Sequence, residues 1–177
     1  MTDIKLICLD MDGTLLGATT PRCRRGISAP CGRVGAGAAV AVASGRPWGF
    51  LHEVAEQLGV LRYAVLSNGA AVLDVHTGEW LYRNCLPEET RQALTELLLE
   101  EGVPFEVYCE GESWIQRDRL EGVLAHTFSP EFRQVLREHA RLPEELNAAL
   151  RGRMAEKFHI FYVLPQRRKS LMERAAA

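Results

Sequence analysis

Two aspartates one residue apart, Asp10 and Asp12, followed by Gly13 and Thr14, interrupt an apolar run near the start of the chain, IKLICLDMDGTLL over residues 4–16. In extended backbone, residues two apart project to the same side, so the two carboxylates face each other and Met11 points away. At a separation of about 4–5 Å and an effective dielectric of about 20 they repel by roughly 3–4 kcal/mol, which favours protonation of one or a cation between them. Mg2+ suits the pair, being a hard ion that takes oxygen ligands and commonly binds through one or two carboxylates plus a substrate phosphate. Gly13 permits a tight turn and a close approach of backbone N–H groups to an anion. The plain structural reading of the same residues is an acidic turn after a buried strand. An EF-hand calcium loop is excluded, because its sixth position requires glycine and is Leu15 here.

These side chains need a scaffold. Five of the six residues 4–9 are apolar, as expected of a short strand buried on both faces of a parallel sheet, with Asp10 at its carboxyl end. That edge is where ligands bind in open α/β sheets. A second run, AVAVA over residues 39–43, ends in Ser44-Gly45-Arg46-Pro47. Pro47 and the spacing of Phe50, Val54 and Leu58 predict a helix directly after it. A hydroxyl and N–H groups at such a strand-to-helix turn suit a phosphate oxygen, although a serine there also serves as a helix cap. A third strand over residues 63–67 leads into Asn68-Gly69-Ala70, ordinarily a turn signal, and then a hairpin around His76-Thr77-Gly78.

The Asp-x-Asp-Gly-Thr run after a hydrophobic strand resembles the first signature of the haloacid dehalogenase-like hydrolases, a superfamily dominated by magnesium-dependent phosphatases. The resemblance implies that Asp10 is a nucleophile forming an aspartyl-phosphate and that Asp12 is the general acid and base. Both would also serve the metal, Mg2+. Ser44 resembles the superfamily's second signature and inherits phosphate binding, with Gly13, Thr14, Gly45 and Arg46 beside it. The Asn-Gly-Ala run and the hairpin after it resemble the Cof-type subfamily, which makes Asn68 a substrate contact. The implied fold is α/β: a partial doubly wound parallel-sheet core over residues 1–83 and an α+β cap domain over residues 84–177.

The second half reads as α+β on its own pattern. Pro87-Glu88-Glu89 opens a helix that Gly102 ends; strands follow over residues 105–109 and 113–116, helices over 131–139 and 144–151, a strand over 158–164 and a helix over 166–177. Tyr108 and Trp114 read as packing residues, and His126 and His159 as structural histidines.

Composition sets bounds. The 177 residues are 47% hydrophobic and 25% charged, with a net charge of −2, an ordinary globular composition without the electrostatic footprint of a nucleic-acid or anionic-membrane binder. No stretch approaches 18 consecutive apolar residues and no leader pattern precedes the first strand, so a cytoplasmic protein is expected. Five cysteines without CxxC spacing indicate neither a disulfide framework nor a zinc site.

The chain departs from the family's pattern in two places. Residues 17–37 hold two prolines and five glycines with no helical periodicity, where a crossover between parallel neighbours should carry a helix. An altered or frame-shifted stretch is one explanation. The family's third-signature lysine and its later Gly-Asp-x-x-Asn-Asp motif also have no secure counterpart, since the lysines are Lys5, Lys157 and Lys169. The expected function is hydrolysis of small phosphomonoesters such as sugar phosphates. Alternatives are an inactive fragment or binding module of the same family, and a sugar-phosphate mutase or sugar-phosphate-specific phosphatase. A receiver-type signalling domain is disfavoured, because its acidic cluster is assembled from separate strands.

Overall fold

The computed structural model describes residues 4–11, 14–17, 20–23 and 37–176. They form two compact units, Met1–Asn84 and Cys85–Ala177.

In the first unit, β1 (Leu6–Asp10), β4 (Ala39–Ala43) and β5 (Leu61–Leu66) run parallel, and β6 (Ala71–Asp74) and β7 (Trp80–Arg83) extend the sheet antiparallel, in the order β1-β4-β5-β6-β7. A separate two-stranded ladder pairs β2 (Leu16–Gly17) with β3 (Thr20–Cys23). Most of the segment read as an altered crossover lies outside the described residues. Strand β4 lies between β1 and β5, and Val40, Ala41 and Val42 are all buried, which is why its sequence is continuously apolar rather than alternating. The core joins Met11, Leu15, Val40, Val42, Leu51, Val54, Leu58 and Leu66. Each such side chain fully buried contributes about 1.5–3 kcal/mol.

Two expectations for this unit need correction. Strand β1 is not buried on both faces: it is the edge strand of the sheet formed by the described residues, its residues alternate between exposed and half-buried, and Leu6 is 54% exposed. The helix after Ser44 does not begin at Pro47, which is extended (φ −78°, ψ 167°). A 3-10 turn, Trp48–Phe50, intervenes, and α1 spans His52–Leu58. Gly59, at φ 64°, ends it in the left-handed cap that glycine adopts without a Cβ penalty.

The hairpin between β6 and β7 is fixed by Asp74. Its carboxylate accepts from the His76 and Thr77 N–H groups (3.0 and 3.2 Å) and pairs with Arg62 at 2.6 Å. Burial works against the charge, but the two N–H groups and the guanidinium outweigh it and hold the Asp74 pKa below the ordinary 3.8. A carboxyl depressed in this way stabilises the fold above its unfolded pKa, and that contribution is lost as pH falls through the folded value. The urea-denaturation midpoint of Asp74→Asn is therefore expected to fall below wild type at pH 6 and to converge with it below about pH 4. A gap that widens on acidification would contradict this account.

In the second unit, β8 (Phe105–Cys109) lies between β10 (Ala155–Ile160) and β9 (Glu112–Trp114), all antiparallel. The helices are α2 (Glu88–Glu100), α3 (Leu120–Ala125), α4 (Pro130–His139), α5 (Leu146–Ala149) and α6 (Pro165–Ala176). Leu97, Leu98, Phe105, Val107, Cys109, Leu146, Leu150, Ala155 and Leu171 make its core. The last strand starts three residues before the expected one. Its polar Glu156, Lys157 and His159 belong to the sheet, while the apolar run after Ile160 leaves it.

Candidate active site

Register brings the candidate residues to one edge of the first sheet. Asp10, the last residue of β1, pairs in register with Ala43, and Ala43 with Val65, so Asp10, Ser44 and the turn after Leu66 leave neighbouring strands at the same carboxyl end. Met11 and Leu15 are fully buried, and the Leu15 N–H donates to the Met11 carbonyl at 3.1 Å, which pins both ends of the loop after β1. Asp12 and Gly13 lie outside the described residues. The Thr14 hydroxyl donates to Asp10 Oδ2 at 3.2 Å, and Asp10 itself is exposed. That bond engages one carboxylate oxygen.

Backbone hydrogen bonds clamp the Ser44 loop to the Asn68 turn. Ser44 N–H donates to the Val65 carbonyl (2.9 Å), Asn68 N–H to the Ser44 carbonyl (3.2 Å) and Ser67 N–H to the Arg46 carbonyl (3.0 Å). Ser44 Oγ accepts the Arg46 N–H at 3.2 Å, a local side-chain turn that leaves the hydroxyl hydrogen to point elsewhere. The Arg46 N–H is thus engaged locally by Ser44, and α1 begins at His52, after the 3-10 turn.

The clamp needs an unusual turn. Ser67 (φ 52°), Asn68 (φ 60°) and Gly69 (φ 93°) are consecutive left-handed residues. Asparagine and glycine tolerate this region; for a buried serine it costs about 1–2 kcal/mol. The sequence marked Asn68 and Gly69 through their turn chemistry but gave no signal for Ser67, whose residue type favours no such conformation. Asp10, Thr14, Ser44, Gly45, Arg46 and Asn68 thus lie on the three adjoining loops at this edge. Among the described residues no group of three or more His, Cys, Asp or Glu side chains forms a ready cation site.

The chain belongs to the haloacid dehalogenase-like hydrolases, whose family model matches residues 7–160. No curated protein matches the chain. Among solved structures it is similar to a subclass IIB sugar phosphatase of that superfamily, at 19% identity and a TM-score of 0.70, covering 97% of this chain and 64% of that one. A haloacid dehalogenase-like hydrolase from B. subtilis matches at 18% identity and a TM-score of 0.70, covering 98% and 67%. A phosphatase from Bacteroides thetaiotaomicron matches at 19% identity and a TM-score of 0.67, covering 96% and 60%. The chain therefore spans about two thirds of these structures' length. At such identities the likeness shows the fold. Among the described residues no helix is long and apolar enough to cross a membrane.

Proposed function

We propose that the chain is a Cof-type phosphomonoester hydrolase acting on small phosphorylated metabolites such as sugar phosphates, with residues 1–83 as the catalytic core portion and residues 84–177 as the cap. The observation that carries this reading is the alignment of Asp10 with the Ser44 loop at one sheet edge, with the Thr14 hydroxyl on Asp10 Oδ2. Holding Oδ2 leaves Oδ1 as the attacking oxygen. It forms the bond to phosphorus while the bond from phosphorus to the ester oxygen breaks, and Asp12 protonates the departing alcohol. Asp12 then takes a proton from water as that water attacks phosphorus, releasing inorganic phosphate and regenerating Asp10. The Ser44 hydroxyl donates to a phosphoryl oxygen, and Asn68 faces the substrate from the neighbouring turn.

The donor set of Asp10 and Asp12 is all oxygen and anionic, which fits Mg2+. The ion, when bound, neutralises charge on the transferred phosphoryl group. The subclass IIB neighbour is a sugar phosphatase, which supports a sugar phosphate as substrate.

The direct test is turnover of an aryl phosphate by the 177-residue chain with Mg2+ and with a chelator. Hydrolysis that disappears on chelation and returns on adding Mg2+ is expected. Absence of turnover in Mg2+ would remove the enzymatic reading and leave the alternative of a binding module in the same family.

A further inference from the structure

Among the described residues nine take a positive φ, and six of them are glycine. Each of the other three needs a reason. Asn68 belongs to a residue type that tolerates the left-handed region. Glu110, in the turn between β8 and β9, uses its side chain there, the carboxylate pairing with Arg153 at 2.7 Å. Ser67 has neither reason. Its backbone role, donating the N–H to the Arg46 carbonyl at 3.0 Å, would be filled by glycine at lower conformational cost.

The Ser67 hydroxyl also differs from the other buried hydroxyls. Those of Thr95 and Thr127 donate to the Arg91 and Val123 carbonyls at 2.8 and 2.9 Å, and that of Ser113 donates to Glu106. Ser67 is 4% exposed, yet its Oγ has no hydrogen-bond partner among the described residues. A polar group with so little water around it is normally satisfied by protein. A residue held in a costly conformation with its polar group unspent is the kind of outlier that ligand sites keep.

Position along the sheet edge says which part of a ligand it meets. Ser67 follows β5 directly, Ser44 follows β4, and Asp10 ends β1 one strand further on. With neighbouring strands about 4.8 Å apart, Ser67 stands about 10 Å along the edge from Asp10. That is too far to touch a phosphoryl group on Asp10, and it suits the alcohol portion of a pentose or hexose ester.

We propose that Ser67 is a specificity-determining residue whose hydroxyl donates to a hydroxyl oxygen of the substrate's alcohol portion, selecting polyhydroxylated phosphate esters over apolar ones; the assignment rests on the phosphomonoesterase reading. Ser44 serves the phosphoryl group, and Ser67 serves the part of the substrate that leaves. Glycine would make the turn more easily but would supply no donor. A site that hydrogen-bonds a substrate hydroxyl discriminates against an ester lacking one, because its own polar group is then left unpaired.

The test compares glucose-6-phosphate, fructose-6-phosphate and ribose-5-phosphate with phenyl phosphate, using the full chain with Mg2+ and its Ser67→Ala and Ser67→Gly variants. The ratio of kcat/KM for the preferred sugar phosphate to that for phenyl phosphate is expected to fall about tenfold in both variants. Ser67→Gly removes the left-handed penalty and secures a folded variant even where Ser67→Ala folds poorly. Calorimetric binding of the same esters to Asp10→Asn chains, with and without Ser67→Gly, reads the same preference as a ratio of dissociation constants, expected to fall about tenfold without any turnover. A chain that hydrolyses none of the esters but loses this binding preference on Ser67→Gly refutes the phosphatase reading alone and supports the Ser67 assignment. Equal losses for sugar and phenyl esters would give Ser67 a purely structural role; that result, an unchanged ratio in the Ser67→Gly chain, or failure to bind any of the sugar phosphates overturns the proposal.

Discussion

Asp10→Asn is expected to lower kcat/KM for an aryl phosphate by at least about a thousandfold, a loss of about 4 kcal/mol or more of transition-state stabilisation. The amide is isosteric, and its oxygen still accepts the Thr14 hydroxyl that Asp10 Oδ2 accepts at 3.2 Å. In the proposed mechanism, what disappears is the anionic oxygen that would bond to phosphorus, along with one negative charge offered to Mg2+. Because Asp10 is exposed at a strand end and belongs to no core cluster, the substitution should leave the urea midpoint and the far-ultraviolet circular dichroism near wild type. The assay therefore separates chemistry from folding. A variant retaining more than about a tenth of the wild-type rate would show that another group attacks phosphorus.

Leu66→Ala is expected to destabilise the first unit by about 2–5 kcal/mol. Leu66 is 1% exposed in the core formed with Val42, Ala64 and Leu73, and it is the last residue of β5 before the left-handed turn. Against a total stability of about 5–15 kcal/mol for a domain, such a loss is a large fraction. Urea denaturation followed by Trp48 and Trp80 fluorescence in a Trp114→Phe background reports the first unit alone. A cost below about 1 kcal/mol would mean that the site collapses around the smaller side chain, contrary to close packing of this core.

Much of the frame was legible because its signals are local. The AVAVA run is β4 to the residue, the helix opened by Pro87 and closed before Gly102 is α2, and His76-Thr77-Gly78 is the turn between β6 and β7. Family motifs pointed to the three loops that the register brings to one edge. What sequence reading missed depends on partners distant in the chain. Leu6 and Cys8 are as apolar as any core strand, and only the sheet order reveals that β1 lies at the edge. Strand β10 begins before its apolar run because Glu156 and Lys157, which look like solvated charges in sequence, lie in the ladder with β8, some 50 residues earlier. The helix α3 has only six residues and shows too little of one period to be recognised.

The edge position of β1 has a consequence for precision. Within the described sheet, Asp10 and Ser44 are registered by a single seam of hydrogen bonds, the one between β1 and β4, whereas the Ser44 loop is gripped from both β4 and the turn after β5. Productive constellations tolerate errors of only about 0.5 Å. Asp10, the proposed nucleophile, is therefore held less firmly than the Ser44 loop, and its alignment depends on how firmly one strand adheres along one side. Anything that laid further hydrogen bonds along the outer side of β1 would sharpen the site without touching a single reacting atom, and anything that peeled that strand would blur it.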